Sequence, residues 1–234
     1  MNQVLYMDTV PNITDSHANQ GSQGKRVAAL VTGLQELLPA SSVIMSVESQ
    51  RPFECDGLAV YQQLPLITVI PETVDQVQAI LRLCHFHRVP LVPRGAGTGL
   101  CAGAMPNAQG VLLVLTKSDQ ILHINHHTST ATVQPGVRNL ALTEAVAPFG
   151  LYYAPDPSSQ IACTIGGNVA ENSGGVHCLK FGLTVNNLLQ VTIVTIEGQL
   201  MTFGGEGLDE PGMDLLSLMT GSEGLLGVVV EAKV

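Results

Sequence analysis

The sequence predicts an α+β chain of two small lobes: a parallel β-α-β lobe followed by a larger, mainly antiparallel sheet lobe with helices. Three observations carry this. Between residues 66 and 115, short apolar runs flank one stretch of helical periodicity, the order of a strand–helix–strand unit. After Thr116 the apolar runs shorten and are joined through turns, as in a meander and a hairpin. Two glycine-rich segments, one after a strand and one opening a helix, are expected near the junction of the lobes.

The elements follow in order. Residues 1–24 are polar and lack the basic and apolar regions of a secretory signal, so they read as a loosely draped arm. Residues 25–38 read as a helix: Val27, Leu30, Val31, Leu34, Leu37 and Leu38 recur at helical spacing, and Pro39 stops it. Arm and helix fill residues 1–50. A domain over 51–234 follows, its first lobe at about 60–116 and its second at 117–234. Residues 51–63 read as irregular and 66–70 as a short buried strand. Thr73 opens a helix with Gln76 three residues on, a capping box, and Val74, Val77, Ile80, Leu81 and Cys84 form its apolar face. Residues 89–92 and 111–115 read as strands.

In the second lobe, residues 121–124 and 131–134 read as meander strands and 140–147 as a helix, and another helix opens near Ile165. Residues 190–196 alternate polar and apolar, the pattern of a half-buried strand, and Glu197-Gly198 turns it into 200–203. Residues 213–219 read as a short helix and 225–230 as a last strand. Because Val234 follows this strand directly, more protein is expected beyond it.

Apolar residues make up 45% and charged residues 12%, so the chain is globular. A net charge of -9 argues against a nucleic-acid or anionic-membrane surface. The absence of Trp argues against a stacking platform for single strands. An anion must then be held by local geometry. The odd number of cysteines with no C-x-x-C pair points to reduced thiols in the cytoplasm. No apolar run reaches the ~20 residues of a membrane span.

The first glycine segment is Pro93-Arg94-Gly95-Ala96-Gly97-Thr98-Gly99. Without Cβ atoms its N–H groups lie open and form a nest for phosphate oxygens. Gly97-x-Gly99-x-x-Ala102 also fits a Rossmann variant. That reading needs a helix at the loop, and the Gly- and Pro-containing stretch 101–107 argues against one. The second segment, from Pro155 to Gly175, adds the polar side chains of Asp156, Ser158, Ser159, Thr164, Asn168 and Asn172. A pyrophosphate alone would not need them; a dinucleotide with a hydrogen-bonding ring would. Asn168 and Asn172, four apart, would share one helix face.

Other candidates read as structural first. His85 and His87 suit a helix C-terminus. His126 and His127 suit a solvated turn. His177 is the histidine beside the second segment, as ligand contact or structural partner. Lys180 reads as a surface lysine, and Glu171 and Glu223 as caps, buried partners or acid/base groups. No metal site and no Ser-His-Asp arrangement is legible.

In order, Pro93 to Gly99, Pro155-Asp156-Pro157-Ser158-Ser159, Ile165-Gly166-Gly167-Asn168-Val169-Ala170-Glu171-Asn172-Ser173-Gly174-Gly175 and Gly221-Ser222-Glu223-Gly224-Leu225-Leu226-Gly227-Val228 resemble the FAD-binding domain of the vanillyl-alcohol oxidase / p-cresol methylhydroxylase (PCMH) family. The resemblance runs from about Arg51 to the end. Arg51-Pro52-Phe53-Glu54-Cys55-Asp56-Gly57 and Tyr152-Tyr153-Ala154-Pro155-Asp156 narrow it to the branch of the bacterial glycolate oxidase flavoprotein component and the D-lactate dehydrogenases.

The resemblance implies the following. Arg94, Gly95, Ala96, Gly97, Thr98 and Gly99 wrap the FAD pyrophosphate. Pro155, Asp156, Ser158, Ser159 and Thr164 hold the ribityl, phosphate or ring-edge region. Gly166, Gly167, Asn168, Asn172, Gly174, Gly175 and His177 approach the flavin, and Gly227 and Val228 the adenine side. Family members with covalent flavin carry a histidine where Thr98 stands, so FAD is expected to be non-covalent. The activity implied is oxidation of a 2-hydroxy acid, with catalytic residues in a C-terminal cap domain that this sequence lacks. That leaves either an enzyme component inactive alone or a non-catalytic flavin-binding module; an enolpyruvyl-sugar reductase is a third reading. Implied partners are other glycolate oxidase subunits, including an iron–sulfur electron acceptor. The implied location is the cytoplasm, with peripheral attachment at the inner membrane as a variant.

Overall fold

The computed structural model describes residues 16–206 and 212–234, with side chains from residue 24 onward. Its elements, in chain order, are α1 (Ser16–Leu37), β1 (Val43–Ile44), α2 (Val47–Gln50), β2 (Ile67–Val69), α3 (Val74–His87), β3 (Leu91–Arg94), β4 (Val111–Val114), β5 (Ile121–Asn125), β6 (Thr130–Val133), α4 (Asn139–Val146), α5 (Ile165–Glu171), α6 (Cys178–Phe181), β7 (Gln190–Val194), β8 (Leu200–Gly204), α7 (Leu215–Met219) and β9 (Val228–Lys233). Short 3₁₀ turns join several of them. The fold is α+β, as the sequence predicts.

The first sheet has the order β1-β2-β4-β3. β2 and β3 each run parallel to β4, which lies between them. The crossover through α3 therefore skips one place, which β4 fills later. Thr73 and Gln76 close the capping box at the start of α3: the Thr73 hydroxyl accepts from the Gln76 amide and Gln76 Oε1 from the Thr73 amide. Val77, Ile80, Leu81 and Cys84 bury the expected face. Burial pushes the Cys84 thiol up to about 12, so it packs as a neutral apolar group.

The helix expected at 25–38 begins earlier, at Ser16. Helix extension costs little once a turn is nucleated, and Leu30 and Leu34, both fully buried, anchor that turn. The rest of the expected arm, residues 1–15, lies outside the described residues. The two-residue β1, antiparallel to β2, was not foreseen; nor was α2, which begins inside the stretch assigned to arm and helix.

The second sheet is antiparallel throughout, with the order β5-β6-β9-β7-β8. The last strand in sequence thus lies in the middle. It begins at Val228, three residues after the expected start, because Gly221 and Gly224 hold turns with φ of +82° and +75°. β7 was expected to be half-buried, yet residues 191–194 are buried on both faces. One face, through Val191 and Ile193, meets α4 and α5 in a core with Leu142, Ile165 and Val169. The other, through Val194 beside Val228 and Val230 of β9, joins the core of the first lobe with Leu30, Leu34, Ile80 and Val111. The alternation was real, but the first lobe covers the face it left polar.

A polar tie reinforces this shared core. The Gly198 carbonyl, in the β7–β8 turn, accepts from Gln78 Nε2 at 2.9 Å and Arg82 Nη2 at 2.8 Å, both on α3. Gly198 has φ +74°, and a Cβ there would sit 2.5 Å from Arg82 Cγ and 2.8 Å from the Gln78 carbonyl oxygen. Gly198→Ala is therefore expected to lower stability in urea unfolding by about 1–2 kcal/mol, the cost of a left-handed L-residue, plus any loss of the tie. An unchanged midpoint would mean that the turn does not couple the lobes.

Candidate flavin site

β3 delivers Arg94 to the junction of the sheets, and the first glycine loop leaves from it. Arg94 is 6% exposed; its guanidinium donates from Nη1 to the Ala104 carbonyl at 3.2 Å and lies 5.9 Å from the Phe53 ring centroid. It also lies against Gly97, where φ is +70° and a Cβ would collide with it. Burial lowers the Arg94 pKa, and nearby Cys55 and Asp56 oppose that shift.

The loop's shape is imposed from outside. Asp56, 6% exposed, accepts from the Leu58 amide at 2.9 Å and from the Ala102 amide at 2.8 Å, and the Gly57 amide donates to the Gly99 carbonyl at 2.9 Å. The segment around Asp56 thus staples both ends of the turn. The consecutive amide N–H groups of residues 95–99 donate to no acceptor among the described residues. A row of unpaired, half-buried N–H groups is rare unless a ligand or water accepts from it.

Opposite stands the N-terminus of α5. Thr164 is its N-cap, accepting from the Gly167 amide at 3.3 Å. A Cβ on Gly95 would collide with its hydroxyl, so the two glycine segments touch. Asn168 is 1% exposed, and its Nδ2 has no hydrogen-bond partner. The Cys163 thiol is close, but Nδ2 does not reach bonding geometry with it. At the far end of α5, the Val169 and Ala170 carbonyls accept from the amides of Gly221 and Glu223, which docks a third glycine loop on the site. The three segments enclose a cavity of about 440 Å³. Open amides, an orphaned buried donor and glycine-walled sides fit a polar, anionic, extended ligand of cofactor size.

Residues 65–204 match the family described as FAD binding domain. The chain belongs to that family. It is 56% identical over 206 residues to glycolate oxidase subunit GlcD of Escherichia coli (strain K12), covering 88% of this chain and 41% of that protein. Against D-lactate dehydrogenase of Anaerostipes hadrus the figures are 34% identity, 86% of this chain and 42% of the relative. The chain thus spans about two fifths of the length of these relatives. Among solved structures, alkyldihydroxyacetonephosphate synthase superposes with a TM-score of 0.76 at 20% identity, covering 88% of this chain and 39% of that one, a likeness of fold.

The FAD-binding-domain cavity gathers Arg94, Gly95, Ala96, Gly97, Thr98, Gly99, Ser158, Ser159, Thr164, Gly166, Gly167 and Asn168 in its wall. The other expected residues lie behind it. Pro155 is held by Asn139 Nδ2, which donates to its carbonyl at 2.9 Å. Asp156 pairs with His177, Oδ2 to Nδ1 at 2.6 Å, and this bond holds the Asp156 carboxyl below its ordinary range. Gly174 and Gly175 give up their side chains to Leu183 and Asp156, and Gly227 to Ile193; Val228 is core. Asn172 takes the left-handed C-cap position of α5, φ +49°, and accepts from the Val185 amide at 3.0 Å. It leaves the helix face of Asn168 because the helix ends there.

Sequence reasoning left Glu171 and Glu223 undecided and passed over Gly103, Ser173 and Gly224, all in the wall. The usable signal was Ser222-Glu223-Gly224: successive residues at φ +53° and +75° place the loop tip against Pro93. Burial, then Glu223, then Asp56 raises the Glu171 pKa. Folded Glu171 therefore holds its proton to a higher pH than unfolded Glu171. The stability this contributes is full at acid pH and is lost as pH rises through the folded pKa. Glu171→Gln is expected to raise the Tm at neutral pH and to give no gain in acid; equal melting at both would show that no such shift exists. At Gly57 a Cβ would sit 2.7 Å from the Thr98 carbonyl oxygen. Gly57→Ala is expected to destabilise by about 1–3 kcal/mol and to speed amide exchange at residues 57 and 102, whose N–H groups donate to Gly99 and Asp56.

Proposed function

We propose that this chain holds FAD non-covalently in the cavity between its lobes. It forms the flavin-binding part of an oxidoreductase converting a 2-hydroxy acid, of glycolate or D-lactate type, to the 2-oxo acid. The observation that carries the reading is the row of open N–H groups at residues 95–99 facing the same cavity as the unpaired Asn168 Nδ2. The names of the relatives support the substrate class.

Each residue has a task in this reading. The amides of 95–99 bind the diphosphate, with Arg94 fixed behind them to stiffen the loop. Ser158, Ser159, Thr164 and Asn168 offer polar groups to the sugar or ring edge. Gly166 keeps the wall flat: a Cβ there would meet Pro135 at 2.5 Å, so the turn after β6 packs directly on the first turn of α5. Asp156 and His177 clamp the loop that presents Ser158. Thr98 stands where a histidine would be needed for a covalent link. Bound FAD supplies a two-electron acceptor for the hydride.

The wall contains one cation, Arg94, already donating to Ala104, and no histidine among the described residues. Binding the substrate carboxylate and taking its hydroxyl proton thus call for groups outside this wall. That favours a second reading, a flavin-holding module that needs a further domain for turnover. Partner subunits, with an iron–sulfur protein taking the electrons, belong to the proposal, as does a cytoplasmic site with peripheral attachment at the inner membrane. Exposed Val176, before α6, and Leu179, on it, offer an apolar contact surface for such a partner. No helix among the described residues is long and apolar enough to cross a membrane.

Purified chain mixed with FAD is expected to retain flavin absorption and to release it into the supernatant on acid precipitation. Gly95→Ala, which drives a methyl into Thr164, is expected to weaken FAD binding by at least about tenfold, ~1.4 kcal/mol. A colourless chain that takes up no FAD would end the proposal. Flavin reduced by glycolate or D-lactate would favour the first reading, and flavin bound but not reduced the second.

A further inference from the structure

We infer that Glu171 and Glu223 act as one proton-sharing carboxyl pair that contacts the diphosphate of the ligand, so that the anion binds together with one proton taken from solvent. This rests on the reading of the cavity as an FAD site. Both carboxylates line it, and no described residue donates to either. They crowd one small volume: a Cβ on Gly103 would lie 2.8 Å from Glu171 Oε1 and 3.0 Å from Glu223 Oε2. Glu171 Oε1 is also 3.6 Å from the Cβ position of Gly99, at the end of the row of open amides. Independently of the acids, Asn168 Nδ2 points to a ligand here. It is buried and unpaired, and lies three residues before Glu171 on the same face of α5.

The surrounding charges make the pair a conflict unless a proton enters. Asp56 faces Glu171 from the 51–59 segment, with its oxygens committed to the Leu58 and Ala102 amides. Arg94 is the cation in the wall, and its guanidinium is turned to Ala104. β9 and the turn at residues 184–187 pack against α5 and bring no charge that acts on Glu171; the thiols of Cys101 and Cys163 complete the titratable groups of the wall. Burial and the neighbouring Glu223 and Asp56 charges make Glu171 reluctant to ionise, and a diphosphate beside it makes ionisation harder still. A proton from water closes one O–H bond on the pair. The resulting acid donates to a phosphate oxygen, and its partner carboxylate accepts from water or a ligand hydroxyl. An arrangement that would repel the ligand becomes a donor to it.

The sign follows. The complex holds more protons than the free chain, so affinity is highest at acid pH and falls as pH rises through the range where the free pair is ionised. The experiment is a titration of flavin-free chain with FAD, read by flavin fluorescence from mildly acid to alkaline pH. It is paired with calorimetry in two buffers of different ionisation heat. Affinity is expected to fall by up to about tenfold per pH unit, with uptake approaching one proton per FAD. ADP, which keeps the diphosphate, is expected to show the same uptake, and riboflavin, which lacks it, none. Glu171→Gln and, separately, Glu223→Gln are expected to flatten the pH profile and remove the uptake, with folding checked by circular dichroism. FAD binding with no pH slope and no uptake, or slopes unchanged in both variants, would overturn the pair while leaving the flavin site standing. Uptake that vanishes with EDTA would assign the role to a bound cation and overturn it as well. No FAD binding at any pH would remove the parent reading and this one together.

Discussion

The contact between Gly95 and Thr164 sets the width of the cavity. One residue belongs to the loop after β3, in the parallel lobe; the other caps α5, in the antiparallel lobe. They meet because position 95 has no side chain: a Cβ there would collide with the Thr164 hydroxyl. That hydroxyl is not free to move away, since it accepts from the Gly167 amide and orders the first turn of α5. Any widening here would separate the open amides of residues 95–99 from Asn168. The lobes are also held together by the shared core through Val194, Val228 and Val230 and by the Gly198 carbonyl. The cavity is what remains between two rigid attachments.

Local chemistry was readable from the sequence; what long-range packing decides was not. Thr73 with Gln76 specified the start of α3 because both partners lie within one turn. The parallel unit, the meander and the hairpin followed from periodicity and turns in the same way. The early start of α1 was missed because its first turns are polar and are carried by an apolar anchor further along. The two-sided burial of β7 could not be read from its alternation, because the second cover comes from a helix more than a hundred residues earlier in the chain. The site divides along the same line. The first loop was legible because open amides are a property of the loop itself. Asp56 was not, because its task is to hold the Ala102 amide across 46 residues of sequence.

The glycines of the motifs have unlike reasons for being glycine, and this explains why the expected ligand residues only partly coincide with the wall. Gly97 needs its left-handed backbone and the space taken by Arg94. Gly95 and Gly166 line the cavity but are glycine because of neighbours in the same wall that a Cβ would strike, Thr164 and Pro135. Gly174, Gly175 and Gly227 permit close packing against Leu183, Asp156 and Ile193, away from the ligand space. A glycine-rich motif thus records two pressures at once: bare amides toward a ligand, and close approach of elements behind it.

The electrostatics show why geometry has to dominate. The protein carries a net charge of -9, and the cavity wall holds Glu171 and Glu223 with Asp56 close by, against one cation among the described residues, Arg94. A field of that sign repels a diphosphate, and the low exposure of Arg94 directs its charge to a carbonyl and not to the ligand. Attraction must therefore come from dipoles at contact distance. Backbone N–H groups supply it without a long-range field, and they act strongly where water is excluded. Their alignment is fixed by Asp56 and Gly57 before any ligand arrives, so little order has to be created on binding. An acidic protein built this way selects against small free anions, which see mainly the repulsive field. It favours a long ligand whose uncharged portions add contacts along the whole cavity, and a flavin dinucleotide has that form.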